Sequence, residues 1–197
     1  MKRLVFLRHG ETEWSATGKH TSRTDVTLTA AGEEAAGALG RRLEDLGLAP
    51  SRRLTSPRRR AVDTAHLAGL GDGLEIDERL AEVDYGEYEG LTTVEIRRDR
   101  PSWVLWRDGS PGGESMEDAR RRADDLLASL APEEGDGDVA LVGHGHFLRV
   151  LAARYLGLSP SQARHLTLGT ASVSVLGHEH EWRAVLLWND RAAAVAR

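Results

Sequence analysis

The 197-residue chain contains no cysteine. It can form no disulfide, offers no thiolate nucleophile and builds no cysteine-ligated metal site, and it suits a reducing compartment. Long hydrophobic runs are missing too. The N-terminal apolar stretch stops after Leu4, Val5, Phe6 and Leu7, too short for a signal-peptide core or a spanning helix. Nothing repeats at a fixed period, and no low-complexity tract interrupts the chain. Nor is there an excess of positive charge. With 26 Lys+Arg against 31 Asp+Glu, the formal net charge is −5, which argues against nucleic acid or an anionic membrane as partner. What remains is a soluble cytoplasmic globule, read as one domain over 1–197. That length buries roughly 70% of the unfolded surface and needs no staples. A homodimer is an option the sequence leaves open.

Within this frame, Leu4–Leu7 reads as a strand apolar on both faces, which suits a sheet covered by helices on two sides. The following residues to Thr27 show no period and read as loop. Thr29 can cap a helix whose Ala36, Leu39, Leu43 and Leu46 form one stripe and which Gly47 can end. RRLTS (52–56) is a short strand, and 59–68 a helix with Pro57 near its start. Residues 75–90 read as a brief strand and a polar loop. Thr92 and Glu95 make a capping box for a short helix broken by Pro101. The aromatic, glycine-rich segment 102–115 reads as a lid, with Trp103 and Trp106 packing it down. Met116–Leu130 is a long helix. Val139–Val142 is a second fully apolar strand, followed by a helix over 146–155. ASVSVLGH and WRAVLLW close the chain as strands, with a hairpin around Gly177-His178. The alternation indicates an α/β fold: three-layer α/β/α with a mostly parallel central sheet.

In such a sheet, ligands bind beyond the carboxyl ends of the strands. Two apolar strands here end in histidine, as Arg8-His9-Gly10 and Gly143-His144-Gly145. If the strands are parallel neighbours, both imidazoles enter one crevice. The 52–56 strand runs into Ser56-Pro57-Arg58-Arg59-Arg60 and adds cations at the same edge. Together these describe an anion pocket containing two histidines.

The stretches LVFLRHGETEW, TSPRRRAVDTA, LAEVDYGEYEGL and VGHGHF, in that order, resemble the histidine phosphatase superfamily, in particular its phosphoglycerate mutase-like branch. KHTSRTDVTLTAAG is similar to that family's second conserved loop. The resemblance implies a phosphomonoester hydrolase acting on a small phosphorylated metabolite (a sugar phosphate, a sugar bisphosphate or phosphoglycerate) through a phosphohistidine. It implies His9 as nucleophile, Arg8 and Arg60 as phosphate clamps and His144 as second pocket histidine. Glu82 matches the acid/base carboxylate, and Tyr85 a position that often faces substrate. No cofactor or metal is implied. Imidazole, with its ordinary pKa near 6.5, is a usable nucleophile at neutral pH. Arginine's planar fork suits the transferring oxygens.

Several residues carry competing readings. Glu78, Asp84, Glu87 and Glu89 rival Glu82 in the same acidic loop. Thr21 and Ser22 are candidate phosphate donors or plain loop hydroxyls, and Arg58 and Arg59 read as surface or rim. Ser15 replaces the family's usual Asn as a shorter substrate donor, and His146 occupies a position that is often glycine. Arg149 either reaches substrate or faces solvent. The pairs His144/His146 and His178/His180 raise a metal-dependent hydrolase as an alternative. A bisphosphoglycerate-dependent mutase is a second, disfavoured because the chain is short between Gly90 and Pro111. A catalytically silent phosphate-ester binding protein is a third.

Overall fold

The structure, a computed structural model, describes residues 3–130 and 137–191. The chain runs β1 (Leu4–Arg8), α1 (Glu13–Thr17), α2 (Ala30–Asp45), β2 (Arg52–Thr55), α3 (Arg59–Leu67) and β3 (Leu74–Ile76). Two short 3-10 turns lead into α4 (Thr93–Asp99), α5 (Leu105–Asp108) and α6 (Met116–Leu130). Then come β4 (Val139–Gly143), α7 (Gly145–Tyr155), a 3-10 turn, β5 (Ser172–Glu179) and β6 (Trp182–Arg191). Among these helices none is long and apolar enough to cross a membrane.

The six strands form one sheet in the order β3-β2-β4-β1-β5-β6. The first four are mutually parallel, while β5 and β6 are antiparallel at one edge. The absence of a polar face on β1 now has its cause. Leu4 and Phe6 enter a core with α6 and α7, whereas Val5 and Leu7 enter a second core with α2 and α3. Strand residues point alternately to opposite faces, and both faces of β1 are covered by helix. β4 does the same, with Val139 and Leu141 on one side and Ala140 and Val142 on the other.

Local chemistry sets the helix ends as expected. Thr29 caps α2, accepting from the Gly32 N–H at 3.0 Å. Gly47, at φ +62°, follows its end. The Thr92/Glu95 capping box is formed, and α4 stops before Pro101.

Three expectations fail in detail. The segment after His9 is not all loop, because Thr12 and Ser15 form a capping box for α1. The last hairpin reverses at His180-Glu181 rather than Gly177-His178, which lie inside β5 paired with Ala184 and Arg183. A strand tail reading HEHEW gives no glycine at the turn, so glycine is a misleading marker there; His180 takes the left-handed conformation instead, at φ 53°. Helix α7 begins at Gly145, one residue earlier than its pattern suggests.

Candidate active site

β1 and β4 are parallel neighbours in the register Arg8↔Gly143. His9 and His144 therefore leave the sheet side by side, with ring centroids 5.1 Å apart. The His9 backbone is fixed at both ends: its N–H donates to the Gly143 carbonyl, and its carbonyl accepts from the Ala171 N–H, each at 3.0 Å. Its Nδ1 lies 2.6 Å from the Gly10 carbonyl oxygen. A carbonyl only accepts, so Nδ1 carries the proton and Nε2 presents a lone pair. Burial, reinforced by the Arg8 and Arg60 cations, holds this imidazole's pKa well below its ordinary value, and the ring is neutral.

Gly10 is required for a close approach rather than for a left-handed turn. A Cβ there would lie 2.4 Å from the Gly32 carbonyl oxygen, so the loop rests directly on the start of α2. Its N–H donates to Thr64 Oγ1 at 3.0 Å, tying the loop to α3.

Both candidate clamps are arginines satisfied by carbonyls. Arg60 is fully buried and donates to the carbonyls of Thr21, Ser22 and Thr24 at 2.9–3.3 Å. Arg8 donates to the Leu168 carbonyl, and a Cβ on residue 145 would lie 3.1 Å from its guanidinium carbon, so Gly145 makes room for it. Each Nε is buried with no partner among the described residues. Burial lowers both pKa values, with Glu82 opposing it. His144 is likewise buried, its Nε2 2.7 Å from Ser56 Oγ. Burial and then Arg60 keep its pKa well below the ordinary value, so the second imidazole is neutral too.

Glu82 takes the place of a cap on α7, where His144 stands at the N-cap without a side-chain bond. Its Oε1 accepts from the Val83 and Phe147 N–H groups at 2.9 and 2.8 Å, and its Oε2 from the His146 N–H at 3.0 Å. Orphan donors of a first helical turn thus hold both carboxylate oxygens. Its rivals have other tasks. Glu89 accepts from the backbone of Ser22 and Thr24, and Asp84 pairs with Arg23.

Arg8, His9 and Glu82 open into a cleft of about 260 Å³ lined also by Lys19, His20, Thr21, Tyr85, His146 and Arg149, whereas Arg60 and His144 are fully buried and do not line it. Tyr85 is buried with Oη 2.5 Å from His146 Nδ1, and burial pushes its pKa well up, so the phenol stays protonated. Arg149 does reach the cleft, its guanidinium 4.5 Å from the Trp106 ring centroid. Trp103 packs the lid segment as expected, buried and donating to the Gly109 carbonyl at 2.8 Å.

Three expected substrate donors are otherwise engaged. Ser22 Oγ donates to Glu89 at 2.6 Å, and Thr21 Oγ1 to the Lys19 carbonyl at 3.1 Å. Ser15 lines the cleft, but its Oγ accepts from Thr12 N–H at 2.9 Å in the α1 capping box. Thr21 and Ser15 bond nearby backbone, as small loop hydroxyls often do, and Ser22 bonds the Glu89 carboxylate. The part played by the second loop is instead made by its carbonyls, which hold Arg60. Sequence reasoning also missed Ser56 and Thr64, although both stand in the TSPRRRAVDTA stretch that carries Arg60. Arg59 is exposed and pairs with Asp63, as a surface residue should. Arg58 lines a larger, shallower depression of about 400 Å³ on the other side of Glu82, which contains neither His9 nor His144.

The first HxH pair, His144 and His146, does not converge on a shared point. His144 turns to Ser56 and His146 to Tyr85. Among the described residues no group of three His, Asp or Glu is arranged to hold a metal ion.

The model of the histidine phosphatase superfamily (branch 1) matches residues 4–191, and the chain belongs to that superfamily. It is 44% identical over 178 residues to an acid phosphatase of Mycobacterium tuberculosis, covering 90% of this chain and 87% of that one. The solved structure of a functionally characterised open reading frame from the same organism superposes with a TM-score of 0.92 at 42% identity, covering 96% of this chain and 98% of that chain. A mycobacterial glucosyl-3-phosphoglycerate phosphatase, solved in complex with VO3, gives a TM-score of 0.85 at 32% identity over 96% of this chain and all of the other, 100%.

Proposed function

We propose that the protein is a metal-independent phosphomonoester hydrolase that acts on small phosphorylated metabolites through a phosphohistidine. The observation that carries this reading is the state of His9. It is a neutral ring with its proton fixed on Nδ1, so that Nε2 is free beside two guanidiniums with unused donors. Phosphatase names on relatives that match nearly the whole chain support it.

The His9 Nε2 lone pair attacks phosphorus while the ester P–O bond breaks, and the Glu82 carboxylate passes to the departing alkoxide a proton taken from the bound monoanionic ester. Arg8 and Arg60 hold the equatorial oxygens as charge spreads onto them. Glu82, again a carboxylate, takes a proton from water as that water attacks phosphorus. The P–N bond breaks, inorganic phosphate leaves and His9 returns to its starting state. Glu82 is the one carboxylate among the residues lining the cleft, which fits it for this part.

A mutase needs its phosphohistidine shielded from water. The described segment between Gly90 and Ser115 forms only the short helices α4 and α5, which favours hydrolysis. The family match over 4–191 and the single sheet support one catalytic domain. The lack of cysteine supports a cytoplasmic setting; assembly as a homodimer is part of the same proposal.

The test is hydrolysis of p-nitrophenyl phosphate. Activity should survive EDTA, be inhibited by vanadate, and disappear in His9→Ala. Loss with EDTA and recovery with zinc would overturn the metal-free scheme.

A further inference from the structure

His146 lines the cleft together with Arg8 and His9, yet the proposed chemistry uses only its backbone, through the N–H bond to Glu82 Oε2. Any residue but proline at 146 supplies that bond. The side chain is therefore separable from the proton-transfer step.

The ring is held from three sides. Its Nδ1 meets Tyr85 Oη at 2.5 Å, Trp106 stands against it at a centroid distance of 5.1 Å, and His20 lies at 6.0 Å. Nε2 pairs with none of the described residues, and it is not among the fully buried polar atoms without partners. It is the one hydrogen-bonding atom this fixed ring has left to offer, at the wall of the cleft.

We infer that His146 is a specificity residue whose Nε2 hydrogen-bonds a hydroxyl group on the alcohol half of the phosphoester. The inference rests on the phosphatase reading and narrows its substrate class to hydroxylated alkyl phosphates. Burial, followed by the nearby Arg149, keeps the imidazole neutral. A neutral imidazole offers Nε2 either as N–H or as a lone pair, according to which partner gives the proton in the Tyr85 bond. A hydroxyl is both donor and acceptor and satisfies either form. A carboxylate or a second phosphate accepts only and satisfies one. An alkyl group satisfies neither and strips water from Nε2 without replacing it.

The test compares kcat/KM for glycerol 3-phosphate against propyl phosphate, and for 2-hydroxyethyl phosphate against ethyl phosphate. The wild type should favour the hydroxylated member of each pair by about three- to tenfold, the range of one neutral hydrogen bond. In His146→Phe, which keeps a ring against Trp106, that ratio should fall toward the intrinsic ratio of the two leaving groups. His146→Gln, with a polar group restored, should recover part of it. Equal kcat/KM in the wild type overturns the inference without any variant. So does discrimination that persists in His146→Phe, or in His146→Leu should the first variant not fold. A wild type inactive on p-nitrophenyl phosphate overturns the phosphatase reading itself, whereas turnover of that ester without hydroxyl discrimination overturns only the role of His146.

Discussion

Acidification should unfold this protein earlier than its carboxylates alone require. His9, His144 and His146 have pKa values held well below the ordinary 6.5, and His20 is lowered to about 4, in each case mainly by burial. In the unfolded chain each ring titrates near 6.5. Below that pH the unfolded state binds protons that the folded state refuses, so stability is full above about pH 6.5 and is lost as pH falls. For His20 the loss is complete near pH 4, its folded value. With a folded value of about 4, His20 stays neutral in the fold and costs about 2 kcal/mol between pH 7 and pH 5. His9, His144 and His146 add to the loss in the same direction, against a whole stability of about 5–15 kcal/mol for an ordinary domain. Ion-paired carboxylates such as Asp108, at about 2, titrate below this window. The assay is urea unfolding at pH 7, 6 and 5, extrapolated to water. Stability should fall steeply across the series, and His20→Asn should remove about 2 kcal/mol of the pH dependence, whatever it costs in packing at pH 7. A stability equal at pH 7 and pH 5, or a slope unchanged in His20→Asn, refutes the picture of buried neutral imidazoles.

Three further outcomes follow from the geometry. Glu82→Gln keeps the charge clamp but cannot cycle a proton, so kcat should fall by about 10²–10⁴-fold while inhibition by phosphate changes little; a collapse of affinity with turnover intact would contradict the assigned part. Gly10→Ala puts a Cβ 2.4 Å from a backbone oxygen of Gly32 and should cost at least about 1–3 kcal/mol together with activity. Gly37→Ala, in open space within α2, should instead stabilise by about 0.5–1 kcal/mol. Thermal unfolding of the pair checks the contrast.

The meeting of His9 and His144 at the candidate site is legible in the sequence because strands carry it. An apolar run without a polar face has one environment available to it, a sheet covered on both sides, and so the places where Leu7 and Val142 give way to polar residues mark the sheet's carboxyl edge. Parallel register then brings His9 and His144 together. The loops were legible only as places. Ser15, Thr21 and Ser22 stand in the loops beside the candidate site, but a hydroxyl's choice between a ligand and a partner within the protein depends on dihedral angles and distant neighbours that no spacing reveals. Ser56 was hidden for the opposite reason: a serine after a strand reads as a turn residue until the strand beside it is known to end in histidine. Glycine marks the wrong place for the hairpin, because His180 adopts the left-handed conformation at the turn.

The way the arginines are satisfied says more about the chemistry than their number does. A buried guanidinium is ordinarily paired with a carboxylate, which cancels its charge and occupies its fork. Arg60 and Arg8 are held by carbonyl oxygens of the 21–24 loop and of Leu168. Carbonyls satisfy donors and orient the fork without removing the charge, and they leave one Nε on each arginine unpaired. The neighbouring imidazoles are kept neutral by the same burial and the same cations. The site thus combines two guanidiniums not paired with a carboxylate, a neutral nucleophilic imidazole and a single carboxylate fixed by backbone N–H groups. Such a site is poorly satisfied alone and well satisfied by a tetrahedral anion. Binding a phosphate ester therefore does two things at once: it completes the electrostatics of the sheet edge, and it sets phosphorus against the one ring nitrogen of His9 that still has its lone pair.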